Sequence, residues 1–540
     1  MPRFLPFPFK VRSLALLLLS LLALGAARPA LAQTPATPAK AALDASLSAT
    51  MDCAALGKAD LSRAKDFPAT ILSSKLVEAS GDTHAYCAVT GYIEPQIQFE
   101  VRLPTTTWNG RYFQIGCGGF CGFVNARGCG DMLARDFVVA ANNLGHVGAV
   151  LSDPLWGADP QLRRDYAGRA THATAVVAKR LIALFYKAKP AYSYFRGCST
   201  GGREGLYLAQ HQPDDFDGII AGDPAFAGRL GAIANTWAAQ HLFDRDNVPV
   251  FDTAALALLH AATIKACDGI DGLKDGIIMD PRACHFDPAV LLCKPGQSSG
   301  CLSAKQIAAA KANYDGPRNS KGERLVPGGM MPGSEGAWGG DDTWTLPEGS
   351  LRYLMFDQPR RDFDYHDFNW DTDMAKVRAQ VAQYDPVTPG EAPDLAAFHA
   401  RGGRLILYHG WADQGVTPLG SLDYYSQVAA RLGGMAELRD WFRVFMVPGM
   451  FHCRGGDAPN TFDFIPAIMA WVEQGRAPDG VVATQREGDV VKRTRPLYAY
   501  PAYAKYNGKG SPDLAANWHR VMPARMPDDR IDWIWGPGHD

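Results

Sequence analysis

Short runs of β-branched and aromatic residues recur along the chain, and each is followed by a glycine-rich turn and a helix-like segment. The stretch 171–188 has apolar positions at helical spacing and is predicted to be a crossover helix. Strands that alternate with helices in this way predict an α/β fold with a mostly parallel sheet. The clearest predicted strands are residues 111–115, 137–140, 191–195, 404–408 and 441–447.

The pattern changes between about residues 225 and 385. That region contains four cysteines, many glycines and prolines and a cluster of aromatic residues, without alternation of strands and helices. We therefore expect an inserted lid domain at residues 225–385, which divides the core into residues 51–224 and 386–540. Residues 33–50, rich in Pro, Ala and Thr, are expected to form a flexible N-terminal segment.

The first 32 residues have the organisation of a secretory signal peptide. Lys10 and Arg12 precede an apolar run at residues 14–24, and Ala30-Leu31-Ala32 forms a small-x-small cleavage site. The alternative is a membrane anchor, but the apolar run is shorter than the roughly 20 residues that span a bilayer. We expect residues 1–32 to be removed and the mature protein to be secreted, in the periplasm or outside the cell.

The charge balance excludes polyanion binding as a main role. The chain has 54 lysine and arginine residues against 56 acidic residues, for a formal net charge of -2. This balance provides no basic surface for nucleic acid or an anionic membrane, and we expect neither as a partner. The 11 cysteines are expected to form disulfides, since an exported chain meets an oxidising compartment.

A candidate nucleophile lies directly after the predicted strand 191–195. Residues 197–201 read Gly-Cys-Ser-Thr-Gly, and a helix-compatible segment follows. A G-x-S-x-G sequence between a strand and a helix is the nucleophile elbow of α/β-hydrolases, with Ser199 at its centre. A glycine-rich turn that happens to contain serine is the alternative. Cys198 is a weaker candidate, because the central position is the one that projects into the site.

The base and the acid are expected on loops after later strands. Elbow-type hydrolases place them after the serine in the order acid, then histidine. Asp413 follows the strand 404–408 and His452 follows the strand 441–447, so they are the predicted acid and base. Asp223 is the alternative acid, and His409 is expected to cap or pack. Ordinary structural roles account for three more histidines, His146, His172 and His211.

The early glycine-rich loop at residues 116–120 is a candidate oxyanion loop. In this fold one donor is the backbone N–H after the nucleophile, here Thr200, and the other comes from an early loop. Gly119 is favoured, with Gly118 nearly equivalent. A tight turn without function is the alternative.

These motifs resemble the tannase and feruloyl esterase family, which also contains the hydrolase of mono(2-hydroxyethyl) terephthalate. The matching pieces are Cys-Ser-Thr-Gly-Gly at 198–202, Phe-Asp-Gly-Ile-Ile-Ala-Gly at 216–222, His409 to Asp413, and His452-Cys453. The resemblance implies an α/β-hydrolase core with a lid and a small-molecule aromatic ester (feruloyl, galloyl or terephthaloyl) as substrate. It also implies a Ser-His-Asp triad and an acyl-enzyme. A peptidase or aliphatic lipase on the same triad, or a non-catalytic binding protein, are the alternatives.

The resemblance also implies a disulfide between Cys198 and Cys453, beside the nucleophile and the base. Neighbours of two hydrogen-bonded residues can lie at the Cα separation that a disulfide requires. A purely structural bridge is the alternative role. Three further pairs are predicted: Cys53–Cys87, Cys267–Cys284 and Cys293–Cys301. The remaining three, Cys117, Cys121 and Cys129, should give one local disulfide and one free thiol.

Residues 267–277 interleave three carboxylates with glycines, in a spacing that differs from an EF-hand. Hard oxygen ligands on a compact loop suit Ca²⁺. The resemblance implies a structural Ca²⁺ held by the side chains of Asp268, Asp271 and Asp275 and the carbonyls of Leu273 and Ile277. A solvated acidic turn is the alternative.

The predicted lid is rich in aromatic residues and arginines. The aromatics are Trp338, Trp344, Tyr353 and Phe356, and the arginines are Arg352, Arg360 and Arg361. An aromatic substrate needs an apolar slot, and a carboxylate-bearing one would need a cation. Most of these aromatics are expected in the lid core, and none of these residues is assigned to substrate.

Overall fold

A computed structural model describes residues 46–62, 66–152, 154–225, 227–340, 342–381 and 393–534. The predicted signal peptide and most of the N-terminal segment 33–50 lie outside these ranges, as does the predicted lid boundary at 385. Within these ranges, none of the helices has the length and apolar character needed to cross a membrane.

Nine strands of the described chain form one mixed sheet in the order β1-β2-β3-β5-β4-β6-β7-β8-β9. Their bounds are β1 Ala69–Val77, β2 Tyr86–Ile93, β3 Ile97–Pro104, β4 Arg111–Ile115, β5 Val138–Asn142, β6 Tyr192–Cys198, β7 Gly218–Gly222, β8 Arg404–Gly410 and β9 Phe442–Val447. β1, β2, β3 and β5 pair antiparallel, whereas β5, β4 and β6 to β9 pair in parallel. All five predicted strands are confirmed.

Helices cover both faces of the parallel half. The helices that belong to this core are α1 Cys53–Leu56, α2 Gly130–Leu133, α3 Pro160–Arg164, α4 Ala170–Tyr186 and α5 Thr200–His211, and, later in the chain, α11 Ala396–Ala400, α12 Pro418–Arg431, α13 Met435–Leu438 and α14 Ile465–Gln474. The helix predicted at 171–188 is α4. One sheet face packs mainly against α4, α5 and α12, and the other against α14. An α/β fold with this arrangement confirms the predicted fold class.

Between β7 and β8 the chain leaves the sheet for residues 223–403, of which residues 227–381 are here called the helical insertion. Its main helices are α6 Ala227–Leu242, α7 Thr253–Cys267, α8 Ala304–Asp315, α9 Asp342–Tyr353 and α10 Asp373–Val381. Separate apolar clusters hold these helices together, and the predicted aromatic core residues Trp338, Tyr353 and Phe356 are buried. The predicted domain limits stay predictions.

Two small antiparallel sheets follow β9. They pair β10 Gly480–Glu487 with β11 Val490–Tyr498, and β12 Tyr503–Tyr506 with β13 Trp518–Val521. No strand was predicted there or before residue 111. The β2 strand alternates buried and partly exposed residues along its length, which is the pattern of a sheet with one solvated face and not that of a buried parallel strand.

Five disulfides join ten of the eleven cysteines. Four are the predicted pairs Cys53–Cys87, Cys198–Cys453, Cys267–Cys284 and Cys293–Cys301, and the fifth joins Cys117 to Cys121. Cys129 is a free, buried thiol. The trio at 117, 121 and 129 therefore divides as predicted, into one local disulfide and one free thiol.

Candidate active site

Ser199 sits in the sharp turn between β6 and α5. Its backbone has φ 62° and ψ -120°, which is a left-handed conformation for a residue with a Cβ atom. The turn brings its flanking glycines together, since a Cβ atom built on Gly197 would lie 2.4 Å from the carbonyl oxygen of Gly201. The two glycines of the motif are therefore required by close backbone approach, and the geometry is that of a nucleophile elbow.

Asp413 follows β8 and is fully buried, with every oxygen hydrogen-bonded. Its Oδ1 accepts the backbone N–H groups of Gly415 at 2.7 Å and Val416 at 2.8 Å. Its Oδ2 lies 2.7 Å from Nδ1 of His452 and 3.2 Å from Nε2 of His409. Burial alone would raise the pKa of Asp413, but the charge of His452 and the bonds from both histidines hold it below its usual range. A carboxylate in this environment stays ionised.

His452 follows β9 and connects that carboxylate to the open cleft. Burial lowers its pKa, but the charge and hydrogen bond of Asp413 outweigh burial and raise the pKa of His452 to about 9. Its backbone N–H donates to Oε1 of Gln414 at 3.2 Å, so the loop after β8 holds the loop after β9. The imidazole is oriented by Nδ1, which leaves Nε2 as the nitrogen available to a nucleophile.

Ser199 and His452 line the same cleft of about 90 Å³. Their neighbours Cys198 and Cys453 are joined by a disulfide with a Cα separation of 6.1 Å. The structure therefore brings together the three predicted triad residues and cross-links two of the loops that carry them. The cleft walls are completed by Phe120, Tyr166, Thr200, Gly119, Asn235, Asp342, Thr343, Leu346, Ser350, Gln414, Gly415 and Val416, among others.

The predicted oxyanion loop lies against the start of α5. Its Gly119 carbonyl accepts the Thr200 hydroxyl at 2.7 Å and the Tyr166 hydroxyl at 3.0 Å, which fixes the loop beside Ser199. Gly119 has φ +54°, and a Cβ atom there would lie 2.3 Å from the carbonyl oxygen of Val150. Gly119 and Thr200 both line the cleft.

Glu204 supports this loop and was missed by the sequence reasoning. It is buried on α5, where its Oε1 accepts the Cys117 N–H at 2.8 Å and its Oε2 accepts the Thr171 hydroxyl at 2.6 Å. Burial raises the pKa of Glu204 to about 7. The one sequence signal was an acidic residue on an otherwise apolar helix face directly after the elbow.

Asp223 and His409 form a layer behind Asp413. The Oδ1 of Asp223 accepts the Gly410 N–H at 2.8 Å, and burial is the main cause that raises its pKa to about 7. Of the two candidate acids, Asp413 is the one whose hydrogen bond to His452 is seen, since Asp223 has none among the described contacts. His409 was expected to cap or pack; it does bond to the Ser421 hydroxyl, at 2.7 Å, and it also bonds to Asp413.

The acidic loop at 267–277 contains one buried carboxylate oxygen without a hydrogen-bond partner in the described part of the chain. Asp268 accepts the backbone N–H groups of residues 275, 276 and 277, at 3.1 to 3.2 Å. Oδ2 of Asp275 accepts from Arg495 at 2.7 Å, whereas its Oδ1 is buried without a hydrogen-bond partner in the part of the chain described. Burial raises the pKa of Asp271, and the charges of Asp275 and Asp268 add to the rise.

The loop does not hold its carboxylates in a closed cage. Within the described ranges, groups of three acidic, histidine or cysteine ligand atoms within 4.8 Å of one another occur at the triad and its disulfide, not here. The orphaned oxygen of Asp275 and the mutual repulsion of the carboxylates nevertheless match a cation site, since a divalent ion would satisfy both.

Two of the three arginines that the sequence singled out have partners within the helical insertion. Arg352 forms an ion pair with Glu348 at 2.8 Å and donates to the Phe363 carbonyl. The guanidinium of Arg360 stacks on Phe356 at 3.7 Å from the ring centre, and Arg361 is exposed. None of the three lines the cleft described above.

A parallel sheet with a nucleophile elbow after β6, an acid after β8 and a histidine after β9 defines an α/β-hydrolase. Comparison with known proteins then identifies the family. Residues 81–521 match the family described as "Tannase and feruloyl esterase". The chain belongs to this family and is a carboxylic ester hydrolase.

Two curated relatives and one solved structure illustrate the match. An uncharacterised esterase of Xanthomonas campestris is 33% identical, over 90% of this chain and 96% of its own length. The mono(2-hydroxyethyl) terephthalate hydrolase of Piscinibacter sakaiensis is 34% identical, over 84% of this chain and 87% of its own. The crystal structure of feruloyl esterase B from Aspergillus oryzae superposes with a TM-score of 0.76 and 29% identity, covering 84% of this chain and 97% of that one.

Proposed function

We propose that the protein is a secreted serine esterase that hydrolyses esters of aromatic acids through an acyl-enzyme. The observation that carries this proposal is the assembly of Ser199, His452 and Asp413 at the ends of β6, β9 and β8, around one cleft. The aromatic acyl group is supported by two relatives, whose names give feruloyl and terephthalate esters as substrates. The aromatic and apolar side chains of the cleft are consistent with a flat ring.

In the proposed mechanism His452 removes the proton of the Ser199 hydroxyl as the oxygen attacks the ester carbonyl. The negative charge of Asp413 stabilises the imidazolium that forms, and the backbone N–H groups of Thr200 and Gly119 stabilise the tetrahedral oxyanion. His452 then protonates the leaving alcohol. Water, deprotonated by the same imidazole, attacks the acyl-enzyme and releases the acid.

We also propose that the 267–277 loop binds Ca²⁺. The side chains of Asp268, Asp271 and Asp275 and the carbonyls of Leu273 and Ile277 would hold it. The ion would compensate the charge of the three carboxylates and occupy the free oxygen of Asp275. The role is structural, because the loop is separate from the residues that line the triad cleft.

The test of the esterase proposal is Ser199→Ala, assayed with methyl ferulate, methyl gallate and a chromogenic aryl ester. We expect turnover to fall by at least about 10³-fold, because the nucleophile is lost while the oxyanion donors remain. Ser320→Ala, which changes an exposed serine of the helical insertion, is the matched control and should keep full activity. Wild-type turnover in Ser199→Ala, or cleavage of a peptide amide in preference to every ester, would contradict the proposal.

A further inference from the structure

The helical insertion contributes an acidic side chain to the cleft. Asp342 is the first residue of α9, and it lines the cleft together with Leu346 and Ser350 from the same helix. Residues four apart lie on one face of a helix, so a single face of α9 forms this wall. Ser199 and His452, which belong to the core, line the same cleft.

The charge of Asp342 reaches the catalytic centre. It is among the negative charges that raise the pKa of His452, after those of Asp413 and Asp223. Asp413 lies behind His452, so it orients the base without forming part of this wall. Asp342 is therefore a carboxylate on the substrate side of the histidine.

The rest of the described cleft lining is neutral, apart from His452 itself. Its other polar side chains are amides and hydroxyls, and no lysine or arginine is among these lining residues. The nearby Arg352 and Arg360 are occupied by Glu348 and Phe356. Phe120, Tyr166 and Leu346 supply an apolar surface on which an aromatic ring can lie.

We infer that Asp342 forms a hydroxyl-accepting subsite, which selects uncharged aromatic acyl groups that carry a phenolic hydroxyl over acyl groups that carry a carboxylate. A hydrogen bond from a phenol to an ionised carboxylate is about twice as strong as a neutral one. A carboxylate on the substrate would instead meet a like charge, since Asp342 is exposed on the wall of the cleft. The inference rests on the proposed esterase function and specifies its substrate class: phenolic esters, in contrast to monoesters of terephthalic acid.

The experiment compares kcat/KM for two substrate pairs in the full-length wild-type protein and in Asp342→Asn. Methyl ferulate against methyl 3,4-dimethoxycinnamate measures the preference for the hydroxyl. Monomethyl terephthalate against dimethyl terephthalate measures the penalty for the carboxylate. The matched control is Asp362→Asn, an exposed acid of the same insertion.

We expect the wild type to prefer methyl ferulate to methyl 3,4-dimethoxycinnamate, and dimethyl terephthalate to monomethyl terephthalate. In Asp342→Asn the preference for ferulate should fall by about tenfold, the value of one hydrogen bond to a charged group. The penalty on monomethyl terephthalate should fall as well. In the wild type that penalty should shrink with added NaCl, and in Asp342→Asn it should lose this salt dependence, since it arises from charge. Asp362→Asn should leave both ratios unchanged.

The inference would be overturned if both ratios stayed unchanged in folded Asp342→Asn. It would also be overturned if the wild type preferred monomethyl terephthalate to the dimethyl ester, or preferred a trimethylammonium-bearing ester to methyl ferulate. Asp342→Lys is the second variant, and the inference requires it to favour the carboxylate substrate. Failure of the esterase proposal is distinguishable, because then no aryl ester would depend on Ser199.

Discussion

The end of the parallel sheet and the helical insertion build the cleft by different means. At the sheet end, β6, β8 and β9 are hydrogen-bonded in register to their neighbours, and the loops after them hold Ser199, Asp413 and His452 through buried hydrogen bonds and a disulfide. The insertion packs mainly on its own apolar clusters and presents one face of α9, which also packs against Phe120 and Trp156 of the core. The positions of Ser199, Asp413 and His452 thus depend on the sheet, whereas the chemistry of the facing wall depends on the side chains of α9.

The two regions also meet at a histidine. His260 of α7 lies 2.9 Å from Glu335 and 3.0 Å from Asp457, which is in the loop that carries His452. The insertion is therefore attached to the core beside the proposed base. Substitutions in the core should change the rate of every substrate, and substitutions in the insertion should change ratios between substrates.

The largest expected effect in the core comes from Asp413→Asn. We expect kcat to fall by about 10⁴-fold, as in serine protease triads, because the neutral amide no longer fixes the tautomer of His452 or stabilises its charge. Asp413 raises the pKa of His452, and catalysis needs the neutral imidazole, so activity rises with pH through that pKa. In the variant this rise should move to lower pH. The measurement is the pH profile of kcat/KM.

Asp223→Asn is the matched control for that prediction. Asp223 is buried beside the triad but bonds to the Gly410 N–H, which an asparagine oxygen can also accept. We expect a loss well below that of Asp413→Asn. The reverse order of effects would show that Asp223 is the acid and that the assignment of Asp413 is wrong.

A smaller but still large effect is expected from removing the disulfide that links the nucleophile and base loops. Cys198 and Cys453 are 255 residues apart, and loop entropy gives a stabilisation of about 5.5 kcal/mol for such a bridge. For Cys293–Cys301, with a separation of 8, the same relation gives about 2.5 kcal/mol. Denaturant unfolding of the two double alanine variants measures the difference.

The same two variants separate a catalytic from a structural role of the bridge. At a temperature where both remain folded, kcat should fall in Cys198→Ala/Cys453→Ala and stay at the wild-type value in Cys293→Ala/Cys301→Ala. An unchanged kcat in the first variant would mean that the bridge only stabilises the fold.

The smallest effect on the reaction is expected from calcium removal. Chelation should lower the melting temperature by several degrees, since binding at a hundredfold excess over Kd contributes about 2.7 kcal/mol. It should leave kcat at low temperature unchanged. Asp271→Asn should abolish the response to added Ca²⁺, whereas Asp489→Asn, at an exposed turn, should retain it. A melting temperature that stays unchanged with both chelator and added Ca²⁺ would contradict the metal proposal.

The sequence was most informative where one local pattern decides the structure. The strand 111–115 was predicted with its observed bounds, and the elbow was visible because glycines two residues either side of Ser199 have a steric cause. The pairing of Cys198 with Cys453 required the family resemblance in addition. The β1 to β3 strands were not predicted, because their alternating, half-solvated pattern lacks the long apolar runs of the central strands.

The supporting residues of the site were beyond sequence reasoning because their roles depend on contacts across the chain. Glu204 accepts a hydrogen bond from the backbone N–H of Cys117, 87 positions earlier. Asp223 accepts one from the backbone N–H of Gly410, 187 positions later. Asp342 lies in a region where the sequence showed aromatic residues and arginines, which pointed to a carboxylate-bearing substrate as readily as to a neutral one. Its position on the cleft wall became visible only with the packing of α9.

The disulfide between the loops that carry Ser199 and His452 also depends on the order in which the chain folds. Ser199 and His452 lie in halves of the core that synthesis separates by more than 250 residues, and their adjacent thiols can join only after the later half has folded against the earlier one. The disulfide between Cys198 and Cys453 therefore forms only in chains whose two core halves have packed together. In a reducing compartment the same polypeptide would lack the covalent link between the two loops, so the predicted fall in kcat on losing the bridge would make activity depend on oxidation.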